Sequence, residues 1–182
     1  MEKVLSAIDL IIDKVHGHRA DPNPLMRVAI MESYTLDTRK KDNPEDYGYE
    51  DYKVKWNQGF QNIADYVRVE FQRSRDIHRN FILTDYWGNV FFPQQQSLNK
   101  NTVMANDLKH SPDFTCVYCV RVEEGSCNMV FEYDDNRRVG STWSIPLETS
   151  KYIIIPSHLR YFISRNNGRK ENMFFTMVAE NA

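Results

Sequence analysis

The chain has 182 residues, of which 41% are hydrophobic and 13% aromatic, so it is long enough to form one domain with a buried core. Its formal net charge of -2 excludes the broad positive field of a nucleic-acid-binding protein, and no apolar run approaches the ~20 residues that cross a bilayer, so we expect neither nucleic acid nor membrane as a partner. The 3 cysteines cannot form a closed set of disulfides, and in the absence of a signal peptide they predict reduced thiols in a cytoplasmic compartment.

Residues 1–78 predict helices and a long loop. Apolar residues recur at helical spacing from Val4 to Val15, and Gly17 follows as a C-cap, so we expect a first helix there. Leu25–Tyr34 reads as a strand, the polar stretch Thr35–Lys55 as a loop, and Phe60–Phe71 as a second amphipathic helix. If each helix packs on a sheet through one apolar stripe, the buried side chains are Ile8, Ile12, Phe60, Ile63 and Val67.

Residues 79–182 predict a run of short strands rich in aromatic and β-branched residues. Turn signals such as Asn166-Asn-Gly168 separate them, which is typical of a sandwich or jelly roll. With the preceding helices, the pattern predicts a single α+β domain over residues 1–182. The predicted strands are Phe81–Phe92, Phe114–Val122, Asn128–Tyr133, Ser141–Ile145, Lys151–Pro156, Arg160–Arg165 and Asn172–Val178.

Four short motifs in this half resemble the small phage-type 2-oxoglutarate/Fe(II) oxygenases. They are Trp87-Gly-Asn89, Thr115-Cys-Val-Tyr-Cys119, Pro156-Ser-His-Leu159 and the ending Val178-Ala-Glu-Asn181, and they occur in the family's order. The resemblance covers roughly residues 79 to 182. It implies a double-stranded β-helix, a relative of the jelly roll, with the helices packed on its larger sheet.

The resemblance also implies an iron site of two His and one carboxylate, and this sequence departs from it. His110 stands at the second ligand of the first pair, but the residue two positions earlier is Leu108, and Asp107 lies one further back. Tyr161 occupies the position of the distal His, and Arg169 lies near that of the Arg that binds the co-substrate. We therefore expect a vestigial pocket around Asp107, His110, Tyr161 and Arg169, with no metal and no cofactor.

Two other patterns of potential ligands are weak. Cys116 and Cys119 lie three apart on a predicted strand, so their sulfurs should point to opposite faces and neither chelate a metal nor form a bridge. His158 lies three residues before Tyr161 and should likewise point away from any site that Tyr161 faces.

These observations favour a non-catalytic structural or adaptor protein that acts by protein–protein contact within a larger assembly. The resemblance points to the cytoplasm of a phage host, or to a phage particle, as its location. One alternative is an active 2-oxoglutarate/Fe(II)-dependent hydroxylase with a divergent triad of Asp107, His110 and either Tyr161 or His158. Another is a jelly roll that binds a sugar or small ligand in the same aromatic groove.

Two polar stretches are the predicted contact surfaces, because tyrosine and amide side chains give adaptable packing and hydrogen bonds. One is the loop from Thr35 to Tyr52, and the other is the amide-rich segment Gln94–Asn101. The residues that we expect at an interface are Tyr47, Tyr49, Tyr52, Gln94, Gln95 and Gln96.

Overall fold

A computed structural model describes residues 10–17, 21–36, 51–75, 81–99, 111–136 and 139–181. Within these ranges no helix is long and apolar enough to span a membrane. The helices are α1 (Asn23–Leu36) and α2 (Gln58–Arg75), and the strands are β1 (Ile11–Lys14), β2 (Phe81–Phe91), β3 (Phe114–Arg121), β4 (Asn128–Asn136), β5 (Val139–Pro146), β6 (Lys151–Pro156), β7 (Arg160–Ile163) and β8 (Asn172–Asn181).

The strands form two antiparallel sheets. The larger has five strands in the order β1-β6-β3-β8-β2, and the smaller has three in the order β5-β4-β7. Strands were expected at β2 to β8, and all seven are present, with Lys151–Pro156 matching its predicted bounds. Neighbours in each sheet are mostly distant in sequence, so the register between them could not be read from the chain alone.

Two hydrophobic cores lie on opposite faces of the five-stranded sheet. One holds the helices against its outer face, through residues such as Met26, Phe60 and Phe175. The other fills the space between the sheets. The alternation of a strand divides neighbouring side chains between the two, so Cys116 belongs to the helix side and Cys119 to the space between the sheets. The expectation that these two thiols face opposite ways is confirmed.

Helix α1 lies where a strand was predicted at Leu25–Tyr34. Asp21 accepts a hydrogen bond from the Asn23 N–H at 3.0 Å, and Pro24 suits a first helical turn because it needs no N–H partner there. Met26, Ala29 and Ile30 face the core at helical spacing. The prediction was wrong because apolar residues also occupy the solvent side of this helix, where Leu25 and Val28 are exposed, and this hides its periodicity.

Strand β1 lies within the segment that was predicted as the first helix. It pairs with β6, with Ile11 opposite Ile154 and Lys14 opposite Lys151, so pairing at the edge of the sheet overrides the helical spacing. Ile12 is 39% exposed and not buried as expected, because alternation turns it away from the helices, to the face of Ile153, on a strand at the edge of the sheet. Ile8 lies outside the described residues.

Helix α2 is present where it was predicted. The Asn57 side-chain oxygen caps it by accepting the N–H groups of Gly59 at 2.9 Å and Phe60 at 3.3 Å. Phe60, Ile63 and Val67 are fully buried, on the face that lies against the sheet. Gly59 is required by this packing, because an added Cβ would come within 2.9 Å of the Met26 side chain and the Pro22 carbonyl oxygen.

Candidate functional site

An aromatic row crosses the inner face of the three-stranded sheet. Phe131 pairs with Trp143 on one side and Tyr161 on the other. The Phe131 and Trp143 rings stack with centroids 5.7 Å apart and an interplanar angle of 28°. Phe131 and Tyr161 are buried, whereas Trp143 is 47% exposed because it stands on the edge strand β5. The row therefore runs from the interior of the protein to solvent.

Uncharged polar side chains line the inner face of the five-stranded sheet. Thr176 and Asn89 are buried, and the Thr176 hydroxyl donates to the Asn89 side-chain oxygen at 3.4 Å. Thr115 and Ser157 share a hydrogen bond of 2.9 Å, also buried. Asn89 donates its amide N–H to the Asp51 carboxylate at 3.0 Å. This polar face offers hydroxyl and amide groups.

Trp87 lies on the same inner face of β2, two residues from Asn89. Its Nε1–H is buried and has no hydrogen-bond partner among the described residues. A buried donor without a partner costs about 1–3 kcal/mol, so this N–H is a group that a bound acceptor would satisfy. With the aromatic row, the polar face suits a neutral ring-bearing molecule or a peptide side chain that stacks and accepts a hydrogen bond.

Of the predicted pocket residues, Tyr161 is buried on the inner face of β7, whereas Asp107 and His110 lie outside the described residues. Arg169 does not join it. It is exposed in the turn between β7 and β8, where its backbone N–H donates to Glu123 at 2.9 Å. Strand β7 starts at Arg160, directly after the Pro156–Leu159 turn. The turn that carries Arg169 follows the other end of β7, so it lies away from Arg160.

The described residues include only part of the iron site that the resemblance implies, because Asp107 and His110 lie outside them. No three His, Cys, Asp or Glu side chains in the described ranges come together in a way that could hold a metal ion. The buried inner residues of β8 are Asn172, Phe174, Thr176 and Val178, which provide no positive charge for a dicarboxylate. His158 is exposed in the turn before β7.

The buried thiols are not candidates for nucleophiles. Burial raises the pKa of Cys116 and of Cys119 well above the ordinary value for a thiol. Burial also raises the pKa of Cys127 to about 11, although hydrogen bonds from Ser126 and Asn172 oppose the shift. The reactive form of cysteine is the thiolate, so these groups stay neutral and unreactive near pH 7.

Tyr52 is buried and is not the surface residue that was expected. Its backbone forms two hydrogen bonds of 2.9 Å with Gly88, which places it over the edge of β2. Gly88 permits this approach, because an added Cβ would come within 2.9 Å of Ile30 and Val54. Tyr47 and Tyr49 lie outside the described residues.

The segment Gln94–Gln96 is held by the chain itself. The Gln94 N–H donates to the Asn166 carbonyl at 2.8 Å, and the Gln95 side chain accepts the Phe92 N–H at 3.0 Å. Gln94 adopts a positive φ of 74°, as the turn requires, and Gln96 is half-buried. The order of this segment is therefore intrinsic, and it is not evidence for a bound partner.

Phe131, Trp143 and Trp87 were not predicted as site residues. Phe131 and Trp143 lie twelve residues apart in sequence and meet only through the register of β4 and β5. The alternation of polar and apolar residues in Ser141–Ile145 indicates that Trp143 faces inward. It does not indicate which side chain stands opposite.

No protein-family model matches the sequence, and no curated protein matches it. Solved structures of 2-oxoglutarate/Fe(II) oxygenases share the fold at low identity. The α-ketoglutarate-dependent carbocyclase SnoK from nogalamycin biosynthesis aligns over 93% of this chain and 78% of its own, with a TM-score of 0.63 and 10% identity. HygX from Streptomyces hygroscopicus, solved with nickel and 2-oxoglutarate, aligns over 94% and 82%, with a TM-score of 0.64 and 9% identity.

A prolyl-4-hydroxylase from Pseudomonas putida aligns over 94% of this chain and 92% of its own, with a TM-score of 0.61 and 7% identity. These likenesses identify the core of two sheets as the oxygenase-type jelly roll. The predicted fold is therefore confirmed at this level. At such identities the likeness is one of fold alone, and the chemistry has to be argued from the side chains.

Proposed function

We propose that this chain is a non-catalytic binding protein built on the oxygenase fold, which acts by protein–protein contact within a larger assembly. The observation that carries the proposal is Tyr161, a phenol within the aromatic row at the position where the resemblance implies the distal His. A buried phenol is a poor Fe(II) ligand, since the facial triad uses imidazole and carboxylate.

The rest of the described interior supports the same proposal. Its polar face carries hydroxyl and amide groups, which suit neutral partners, and Arg169 lies outside the space between the sheets. The sequence resemblance to phage proteins makes a phage particle the first assembly in which to seek partners. Neither the non-catalytic binding role nor the phage assembly depends on the catalysis that other proteins with this fold perform.

Iron content is the direct test. The protein is purified after incubation with Fe(II), and bound iron is measured beside 2-oxoglutarate-dependent release of CO2. We expect neither stoichiometric iron nor turnover. The matched variants are His110→Ala and His158→Ala, the second serving as the control because its side chain is exposed in a turn. Stoichiometric iron that His110→Ala abolishes and His158→Ala retains would overturn the proposal.

A divergent 2-oxoglutarate/Fe(II) oxygenase is the second candidate, favoured by the likeness to three solved oxygenases over more than nine-tenths of this chain. In this case Asp107 and His110 would supply two ligands and Tyr161 the third, since His158 faces solvent. Iron supplies the oxidising chemistry in such enzymes, and this chain would contribute the aromatic row that encloses the substrate. Tyr161→Phe separates the two candidates, because it should abolish iron binding only if the phenol is a ligand.

A further inference from the structure

Three of the four sheet edges in the described structure are protected against pairing with another chain. Strand β1 is only four residues long and carries Asp13 and Lys14. The edge of β2 is bridged at Gly88 by the backbone of Tyr52, and the strand carries a bulge between Leu83 and Asp85. Next to β7, Ser97 donates its N–H to the Ile163 carbonyl at 3.0 Å and accepts the Ile163 N–H on its hydroxyl at 2.6 Å. Short length, charge and covering segments are the usual protection of sheet edges.

Apart from Pro146 at its last position, the fourth edge, β5, has no such protection within the described part of the chain. It is eight residues long, and its sequence Val-Gly-Ser-Thr-Trp-Ser-Ile-Pro contains no charged residue. Gly140, Thr142, Ser144 and Pro146 are all exposed along it. Trp143 leaves 47% of its surface uncovered on the adjoining inner face. Such an edge is a template for a further strand.

The hydrogen-bond pattern of the sheet defines which groups the edge presents. The Leu147 N–H donates to the Cys127 carbonyl at 3.1 Å, and the Ser164 N–H donates to the Asn128 carbonyl at 2.8 Å. Odd-numbered residues of β4 therefore bond to β5, and even-numbered ones to β7. By alternation, the outward N–H and C=O groups of β5 belong to its even-numbered residues, which include Gly140, Thr142 and Ser144.

We propose that β5 pairs with β5 of a second copy of this chain, antiparallel, with Thr142 facing Thr142 across a two-fold axis. This register places Gly140 opposite Ser144 of the partner subunit and uses every outward N–H of the three residues. The two three-stranded sheets then become one continuous sheet. An isologous pair of this kind closes on itself and leaves no further edge of the same type.

The chemistry of the strand favours a second copy over an unrelated partner. A strand without charge can pair with another uncharged strand without placing any charge opposite a like charge, and β5 itself satisfies this condition. The net charge of -2 gives only weak repulsion between copies. The register also brings Trp143 next to Ser141 of the partner subunit, which covers part of its exposed ring. An interface built mainly on one strand is small, so we expect a dissociation constant in the range of about 1–100 μM.

The inference names a partner and surface for the protein–protein contact of the proposed function, but it does not depend on the metal site. Iron binding would overturn the proposed function and leave the dimer untouched. Loss of the dimer would leave the iron result untouched. The two failures are therefore distinguishable.

Sedimentation velocity of the full chain over about 1–500 μM tests the dimer, with two charge variants at the two-fold axis. Thr142→Lys and Thr142→Asp each place like charges opposite one another, so each should weaken self-association by at least about tenfold. An equimolar mixture of the two should restore a dimer at least as tight as the wild type. Gln58→Lys, on an exposed helical position, is the control and should associate as the wild type does.

Thr142→Pro is a second, independent variant. The N–H that proline removes points away from β4, and proline is tolerated on edge strands, so the monomer should fold. We expect a folded monomer by circular dichroism and sedimentation. A wild type that is monomeric at the highest concentration would overturn the inference. So would a lysine variant that self-associates as tightly as the wild type, or a mixture of charge variants that stays monomeric.

Discussion

The two sheets of this protein differ in how completely they are covered. In the five-stranded sheet, six consecutive residues of β3 and four of β6 are buried, because helices cover one face and the second sheet covers the other. In the three-stranded sheet, β5 alternates between inward side chains and exposed Gly140, Thr142 and Ser144. The comparison indicates that the larger sheet carries most of the stability, while the smaller one leaves its edge strand β5 exposed.

The largest effect that this contrast predicts is at the contact between α2 and the larger sheet. Phe60 is fully buried, with its ring centroid 4.7 Å from that of Phe175 and 5.8 Å from that of Trp56. Phe60→Ala should lower the free energy of unfolding by about 3–5 kcal/mol, because it removes a buried ring and leaves a cavity. Chemical denaturation measures the change. Val69→Ala, at a position 47% exposed on the same helix, is the matched control and should cost less than about 0.5 kcal/mol.

If the two variants were equally mild, α2 would contribute little to the fold in solution. The contrast between a covered sheet that stabilises the fold and a sheet with an exposed edge strand would then lose its basis.

A smaller effect is expected at Asn166, which joins the two sheets where β7 leads into β8. Its side-chain amide donates to the carbonyls of Phe91 at 2.9 Å and Lys170 at 2.8 Å, and its side-chain oxygen accepts the Gly168 N–H at 2.9 Å. Asn166→Ala should cost about 1–3 kcal/mol, because it leaves buried backbone groups without partners. The neighbouring Asn167→Ala is the control, since Asn167 is exposed and contributes a backbone N–H that the substitution keeps. Equal unfolding midpoints for the two variants would contradict this role.

The strands of the C-terminal half could be predicted because aromatic and β-branched residues fill them and clear turn signals separate them. The N-terminal half could not, for two physical reasons. In α1, apolar Leu25 and Val28 face solvent and mask the helical period. In β1, the segment gains its structure from β6, which lies about 140 residues further along the chain. Local spacing carries no information about a partner so distant.

The candidate site, like the fold, could be predicted from the sequence only in part. Tyr161 could be placed inside the molecule because it occurs in a motif with Pro156 and Leu159. The aromatic row could not be predicted, because it depends on the register that sets Phe131 between Trp143 and Tyr161. The Trp87 N–H also could not be recognised, since whether a donor lacks a partner depends on the completed packing.

A modest effect on stability is expected at the exposed end of the aromatic row. Trp143 leaves 47% of its surface uncovered, so Trp143→Ala should lower the free energy of unfolding by about 1 kcal/mol. The same variant should weaken any contact at β5 far more than it weakens the fold, because the indole flanks the open edge. Sedimentation velocity and chemical denaturation on one preparation give both numbers. A large loss of stability without a change in association would assign Trp143 to the core.

The smallest effect concerns a hydrogen bond on the covered side of the larger sheet, and it depends on pH. The Tyr118 hydroxyl donates to the Asn23 side-chain oxygen at 2.7 Å, and both residues are buried. Tyr118→Phe should cost about 1 kcal/mol at pH 7, the usual contribution of one such bond.

Burial raises the pKa of Tyr118 to about 12, against an ordinary value of 10.0. The unfolded chain therefore releases this proton first, and the stability that depends on the protonated phenol is complete below pH 10 and declines as the pH rises toward 12. Burial raises the pKa of Tyr152 as well, so both wild type and variant should lose stability in strong alkali. The difference between them isolates Tyr118. As the pH rises from about 10 to about 12 it should shrink and then change sign, by at most about 1.4 kcal/mol per pH unit, because the variant has no phenol to keep protonated. Urea denaturation of both proteins at several pH values measures this difference. A difference that stays constant across this range would mean that the Tyr118 phenol is no harder to ionise in the folded protein than in the unfolded chain.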